Sequence, residues 1–134
     1  MGSFLFFCIA LGMLGVAAPA CATEQIEYVL PSGNIGCVYT PKGEISNYQP
    51  INGGPELSCD RVEPEYVRMI LGPTGKAVLH LQVGDASCCS ANLTLNHGAS
   101  WSAGPFNCAA STSGLECRRG KHGFLMSRAR LKAY

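Results

Sequence analysis

The sequence predicts an all-β fold, a small disulfide-stapled antiparallel barrel or sandwich with little helix. Three observations carry that expectation. Short alternations of apolar and polar residues recur about every ten residues, with Gly- and Pro-containing turns between them. Beyond an apolar leader stand six Cys, an even set in a chain marked for export. Charged residues make up 14% of the 134 against 47% hydrophobic, which excludes intrinsic disorder, and no heptad, nucleotide loop or low-complexity tract is present.

Residues 1–22 read as a signal peptide and residues 23–134 as a single β domain. Residues 2–18 carry no charged side chain and run into two small-x-small sites, Ala18-Pro19-Ala20 and Ala20-Cys21-Ala22. The second is the better cleavage site, because the first places Pro beside the cut. The uncharged run is at the lower limit for spanning a bilayer and no Arg or Lys cluster follows it, so no transmembrane span is expected in the mature form. The basic n-region is reduced to the amino terminus itself. Cutting behind Ala20 would instead expose Cys21 to acylation as a lipoprotein, although the Leu expected three positions upstream is missing. The expected location is secreted or periplasmic.

The elements of the mature segment follow in order. Residues 25–30 alternate Ile26, Tyr28 and Leu30 with Gln25, Glu27 and Val29, a strand ended by the turn Pro31-Ser32-Gly33-Asn34. Residues 34–40 form the next strand, and residues 41–56, rich in Pro, Gly and Asn, a long surface loop. Glu63-Pro64-Glu65 before residues 66–71 fits a helical turn, with Pro and acids at its positive end, or another strand. Residues 76–83 set Ala77, Leu79, Leu81 and Val83 against Val78, His80 and Gln82, a clear strand alternation, and residues 84–100 follow as a second loop. Residues 123–126 begin a last strand and residues 128–134 close the chain.

Two segments look like variants of one unit: Ile35-x-Cys37 with Leu57-x-Cys59-x-Arg61, and Phe106-x-Cys108 with Leu115-x-Cys117-x-Arg119. Positions two apart on a strand share a face. Setting Cys108 opposite Cys117 places Ala110 across from Leu115, puts the turn at residues 111–114 and gathers Asn107, Ala109, Glu116 and Arg118 on the other face. Directly opposed Cβ atoms lie about 4.5 to 5.5 Å apart, near the approach a disulfide needs. The same logic pairs Cys37 with Cys59. Each closure should contribute roughly 2.5 to 3.5 kcal/mol, a large share of a domain's usual net stability of about 5 to 15 kcal/mol. Cys88 and Cys89 are open at this point: they could form a ring with each other, stay reduced, or take partners from the other four.

Leu30-Pro31-Ser32-Gly33-Asn34-Ile35-Gly36-Cys37, Leu57-x-Cys59-Asp60, Gly114-Leu115-x-Cys117 and the closing run from Gly120 to Arg128 resemble a family of short exported bacterial proteins. Its members open on Pro-Ser-Gly-Asn-Ile-x-Cys and close on Gly-His-Gly-Phe-x-Leu-Ser-Arg, and the family is known as a domain of unknown function. The resemblance implies bacterial origin, export and a Cys-paired β domain, and no established reaction. This chain departs from the pattern, because Gln82 and Val83 precede Gly84-Asp85 while Cys88 and Cys89 follow it.

The residues offer little chemistry. Cys88, Cys89, His97, Cys108, Cys117 and His122 are ligand types, but adjacent Cys is not zinc-loop spacing, so neither metal nor cofactor is expected. There is no Cys-x-x-Cys for thiol redox work. Ser87 or Ser90 with His80 or His97 lacks a Gly-x-Ser-x-Gly elbow, and Asp60, Glu63 and Glu65 fit a solvated loop better than an acid and base pair. No catalytic activity is expected. The net charge of +1 gives no case for nucleic acid. Charge is nonetheless uneven, with residues 24–65 summing to −5 and residues 116–134 to +5. Either the two segments neutralise each other, or Arg118, Arg119, Lys121 and His122 form a basic contact surface for an anionic envelope component. The leading expectation is an exported envelope binding or structural module for an unknown envelope component or protein, displaying loops 41–56 and 84–100. His97, Trp101 and Phe106 would form an aromatic patch, with Trp101 equally suited to the core. The alternatives are an inhibitor of a host or competitor hydrolase and, third, a small enzyme.

Overall fold

The structure, a computed structural model, describes residues 24–43 and 48–134; the expected signal peptide lies outside the described residues. Ten strands and no helix occur among the described residues: β1 (Ile26–Val29), β2 (Ile35–Thr40), β3 (Glu56–Arg61), β4 (Val67–Leu71), β5 (Val78–His80), β6 (Ser100–Ala103), β7 (Phe106–Ser111), β8 (Gly114–Arg119), β9 (His122–Met126) and β10 (Leu131–Ala133). They build two antiparallel five-stranded meanders, β1 to β5 and β6 to β10, each in chain order. The two sheets pack as a sandwich rather than closing into a barrel. Alternation decides the inner faces: Phe106, Cys108 and Ala110 are buried along β7 while Asn107, Ala109 and Ser111 are exposed.

The two halves correspond in register throughout. Cys37 faces Cys59 and Cys59 faces Met69 in the first sheet; Cys108 faces Cys117 and Cys117 faces Phe124 in the second. On the outer flank Tyr28 sits beside Cys37 just as Trp101 sits beside Cys108, and these two equivalent aromatics touch, with ring centroids 4.9 Å apart. Both hairpin disulfides form as the spacing predicts, Cys37–Cys59 and Cys108–Cys117, each with a Cα separation of 4.1 Å. The Tyr28 hydroxyl reaches the Cys117 sulfur at 3.7 Å, and burial pushes this phenol well above its ordinary titration range. Two bridges therefore lie in one core, between the sheets they staple.

The repeat extends to Arg61 and Arg119, which occupy equivalent ends of β3 and β8. Arg61 Nη1 donates to the carbonyl of Ser127, just past β9, at 3.1 Å; Arg119 Nη1 donates to the carbonyl of Gly72, just past β4. Each half thus latches the fourth hairpin of the other. Arg61 adds longer bonds to Arg128 O and Glu65 O, and Arg119 adds one to Gly75 O at 2.7 Å. Arg61 is only 3% exposed, and its Nε has no hydrogen-bond partner among the described residues. Charge-assisted bonds to backbone carbonyls offset the cost of burying it.

One open alternative closes and two expectations change. Residues 66–71 take the strand alternative, because Val67, Met69 and Leu71 fill the core opposite Arg61, Cys59 and Leu57. The alternation over 76–83 yields only the three-residue β5, with Ala77 buried but Val78, Leu79 and Leu81 exposed. It is an edge strand that pairs only Arg68, Met69 and Ile70 of β4 before the chain turns into residues 81–99. The loop expected over residues 84–100 ends at its last residue in β6, which runs over Ser100–Ala103 where no strand was expected. The opposite charges do meet, at one exposed ion pair: Arg128 Nη1 lies 2.9 Å from a Glu63 carboxylate oxygen.

Candidate functional site

The segment that joins the two halves, residues 81–99 between β5 and β6, does not hang free as a displayed loop. It crosses the outer face of the first sheet and fastens to the far edge, where Val29 N donates to Leu93 O and Leu95 N donates to Val29 O, both at 2.9 Å. This adds a parallel bridge between Val29 and Thr94 and buries Leu95. On the way it lays Cys88 and Cys89, bonded to each other, over Gly36 of β2. A Cβ on Gly36 would lie 2.9 Å from each of the two sulfurs, so glycine is what lets the bridge rest on the strand.

A polar network holds the crossing in place. Asp60, 7% exposed, accepts from the Tyr66 hydroxyl at 2.5 Å and from Arg68 Nε and Nη2 at 2.7 and 2.8 Å. Tyr66 oxygen in turn accepts from Cys88 N at 3.0 Å, and Arg68 Nη2 also donates to Asp85 O at 3.1 Å. The pairing is geometric in origin, because Asp60 and Arg68 face each other across the β3–β4 hairpin. The Asp60 hydrogen bond holds the Arg68 guanidinium above its ordinary pKa, with its desolvation opposing; burial and then Asp60 push the Tyr66 phenol up. Both shifts keep the network in the state drawn here: cationic Arg68 and protonated Tyr66.

Between crossing and sheet lies a cleft of about 320 Å³. Glu27, Val38, Ser58 and Arg68 line it from the sheet; Ser87, the Cys88–Cys89 bridge and Ser90 line it from the crossing segment. Its chemistry is a polarisable sulfur wall, hydroxyls, an exposed carboxylate from Glu27 and a guanidinium already engaged with Asp60. Neither His97 nor His122 reaches it, and His80 faces Arg68 across β4–β5 without lining the cleft. Ser87 and Ser90 have no hydrogen bond to a His among the described residues.

The other expected groupings do not assemble. Glu63 pairs with Arg128 and Glu65 is exposed, while Asp60, expected with them in a solvated loop, is buried on β3 and bonded to Tyr66 and Arg68. His97 is exposed, Phe106 is fully buried and Trp101 packs on Tyr28, so there is no aromatic patch; Trp101 belongs with the core. Of the basic run, Arg119 is spent on the Gly72 and Gly75 carbonyls, and Arg118 donates to Glu116 at 3.2 Å with its guanidinium 5.8 Å over the Tyr134 ring. Lys121 alone of the four is exposed with no such partner among the described residues, and His122 sits opposite Arg119. Three Cys sulfurs, of Cys37, Cys59 and Cys117, cluster within 4.8 Å, but all three are consumed in the core bridges.

Gly36, Asp60, Tyr66 and Arg68 were not singled out together from the sequence. Glycine flanked by Ile35 and Cys37 in a strand was the available signal, because it marks a close approach by another part of the chain. Among the described residues no helix is long and apolar enough to cross a membrane. The chain matches no family model, no curated protein and no solved structure in the comparisons made with each.

Proposed function

We propose that this protein is an exported binding module of the bacterial envelope, without catalytic activity, and that its ligand occupies the cleft under the Cys88–Cys89 crossing. The observation that carries the reading is the course of the segment that joins the two halves. Two matched meanders make the scaffold, and residues 81–99 are spent on roofing one outer face, with a glycine beneath them and a four-residue polar network to hold them. A cleft of about 320 Å³ lies at the small end of ligand pockets, which run from about 300 to 1,000 Å³. Its lining suits a hydroxyl-rich ring with one apolar face, a glycan unit: Val38 and the sulfur wall take the apolar face, and Ser58, Ser87, Ser90 and Glu27 take the hydroxyls. The disulfides and the apolar leader support export, as does the resemblance to exported bacterial domains. The segment 84–100, expected as a loop displayed by the module, is docked on the sheet, so the ligand is assigned to the cleft beneath it.

Titrating isotope-labelled protein with a panel of neutral and N-acetylated mono- and disaccharides tests this. Amide shifts should concentrate at Val38, Ser58 and residues 87–91, and Ser58→Trp, which fills the cleft, should abolish them. Shifts that map to the second sheet, or that survive Ser58→Trp, would remove the glycan reading.

A further inference from the structure

We propose that Cys88–Cys89 is a thiol-exchange site, the one bridge of the three that solution thiols reach in the folded protein. This rests on access and topology and is independent of what the cleft binds. Cys37, Cys59, Cys108 and Cys117 are 0 to 2% exposed between the sheets, so an attacking thiolate meets them only after the sandwich opens. Cys88 and Cys89 are half-buried and line a cleft open to solvent. The two core bridges span separations of 22 and 9 residues and tie strands together, whereas Cys88–Cys89 spans one peptide bond and ties nothing distant. It can open and reclose without loss of the fold.

The surroundings assign the two sulfurs different parts. Cys88 Sγ lies 4.0 Å from the Asp60 carbonyl oxygen, within reach of an S–H donor, and Cys88 N is anchored on Tyr66. A monothiolate therefore attacks Cys89 Sγ. The new sulfur–sulfur bond forms there, the Cys88–Cys89 bond breaks, and its electron pair goes to Cys88, which takes a proton from solvent and donates it to Asp60 O. A second thiolate attacks the incoming sulfur, releasing Cys89 as thiolate and the external pair as a disulfide. Two external thiols are oxidised, one protein bridge is reduced by two electrons, and the reverse sequence passes oxidation to a client pair of thiols. The fitting partner is a small monothiol or a flexible Cys-containing peptide, since the cleft is too small for a folded surface.

The test treats the folded, oxidised protein with graded reduced glutathione, quenches with N-ethylmaleimide and maps the labelled peptides by fragmentation mass spectrometry. Label should reach Cys88 and Cys89 on the order of a thousandfold faster than the other four, the least factor by which a folded domain suppresses its open form. The trapped intermediate should carry glutathione on Cys89, with near-ultraviolet circular dichroism unchanged. Labelling of all three bridges together overturns the proposal. So does resistance of Cys88–Cys89 under conditions that fully reduce the urea-unfolded chain, and glutathione trapped on Cys88 overturns the assignment of roles. The Cys88→Ser/Cys89→Ser protein should keep its fold and show no fast-labelling phase; a fast phase that persists there also refutes the site.

Discussion

Gly36→Ala isolates the contact on which the candidate site is built. Gly36 lies in β2 with no left-handed backbone requirement, so alanine is conformationally acceptable and, in a strand interior, should be favoured by about 0.5 to 1 kcal/mol. Against that, the new methyl would sit 2.9 Å from both sulfurs and 3.1 Å from Cys89 Cβ. Overpacking of that kind costs about 1 to 3 kcal/mol, so the net effect should be a loss of roughly 0.5 to 2 kcal/mol. For a domain of about 110 residues this lowers Tm by roughly 2 to 8 °C. The same substitution in a Cys88→Ala/Cys89→Ala background meets no sulfur and should be neutral or stabilising. Urea unfolding of the four proteins gives the coupling energy, expected at about 1 to 3 kcal/mol. The variant should also exchange its vicinal bridge faster, because the crossing is lifted from the sheet. An equal cost for Gly36→Ala in both backgrounds would show that the bridge does not bear on β2, and the cleft would have to be redrawn.

Other predictions follow from the core and its latches. Arg61→Ala should cost about 3 kcal/mol, through lost charge-assisted bonds and a buried void, and more than Arg119→Ala, whose guanidinium is nearer solvent; equal midpoints in urea would contradict the burial difference. Replacing both Cys of a core bridge by Ala should cost about 3.4 kcal/mol in loop entropy for Cys37–Cys59 and about 2.7 for Cys108–Cys117, with Cys88–Cys89 far below both, an order that guanidinium unfolding would reverse if the vicinal bridge were structural. Burial, then donation to the Glu56 carboxylate at 2.7 Å, pushes the Tyr48 phenol up to about 12. A raised native pKa favours the protonated form, so the stabilisation is complete below pH 10.0, the ordinary value, and is lost as pH climbs towards 12. Ring resonances of Tyr48 should titrate late, and Glu56→Gln should bring them earlier; an unchanged midpoint would separate the pair.

The sequence made the two stapled hairpins legible because their partners are side chains in the same pattern. Leu-x-Cys-x-Arg occurs twice, and a period of two converts spacing directly into facing positions. What the arginines do was not legible, because backbone carbonyls at Gly72, Gly75 and Ser127 are their partners and a carbonyl has no sequence signature. The overlong strand at 76–83 has a similar cause. Alternation reports which residues could line a face, while strand length is set by where the chain leaves its neighbour, and β5 pairs only Arg68, Met69 and Ile70 of the five-residue β4 before turning into the crossing segment. The Ser-Trp-Ser-Ala of β6 is hidden by its length: it alternates exposed Ser with half-buried Trp101 and Ala103, but four residues at an edge give too short a period to stand out from a loop. Asp60 illustrates a third limit. It was grouped with Glu63 and Glu65 by proximity in the chain, yet the pleat turns it to the outer face, where its partners are Tyr66 and Arg68.

The corresponding outer face of the second sheet supplies an internal control for assigning function to the first. Asp60 of β3 corresponds to Arg118 of β8, and Arg68 of β4 corresponds to Gly123 of β9, so the half-buried ion pair of one half has no counterpart in the other. Instead Arg118 turns to Glu116 and Tyr134, and the Tyr134 hydroxyl donates to Glu116 at 2.8 Å, which with Arg118 holds that carboxyl below its ordinary range. That face is bare: β7 exposes Asn107, Ala109 and Ser111, and no segment crosses it among the described residues. Core requirements act on both halves alike and are met alike, down to equivalent bridges and equivalent arginine latches. They cannot account for features present on one side only. Gly36, the Asp60–Arg68–Tyr66 brace and the stretch of the crossing segment above them are such features; only the far end of that segment, through Leu95, joins the shared core. The second sheet stands without them, and this is why binding and thiol chemistry are assigned to the roofed face.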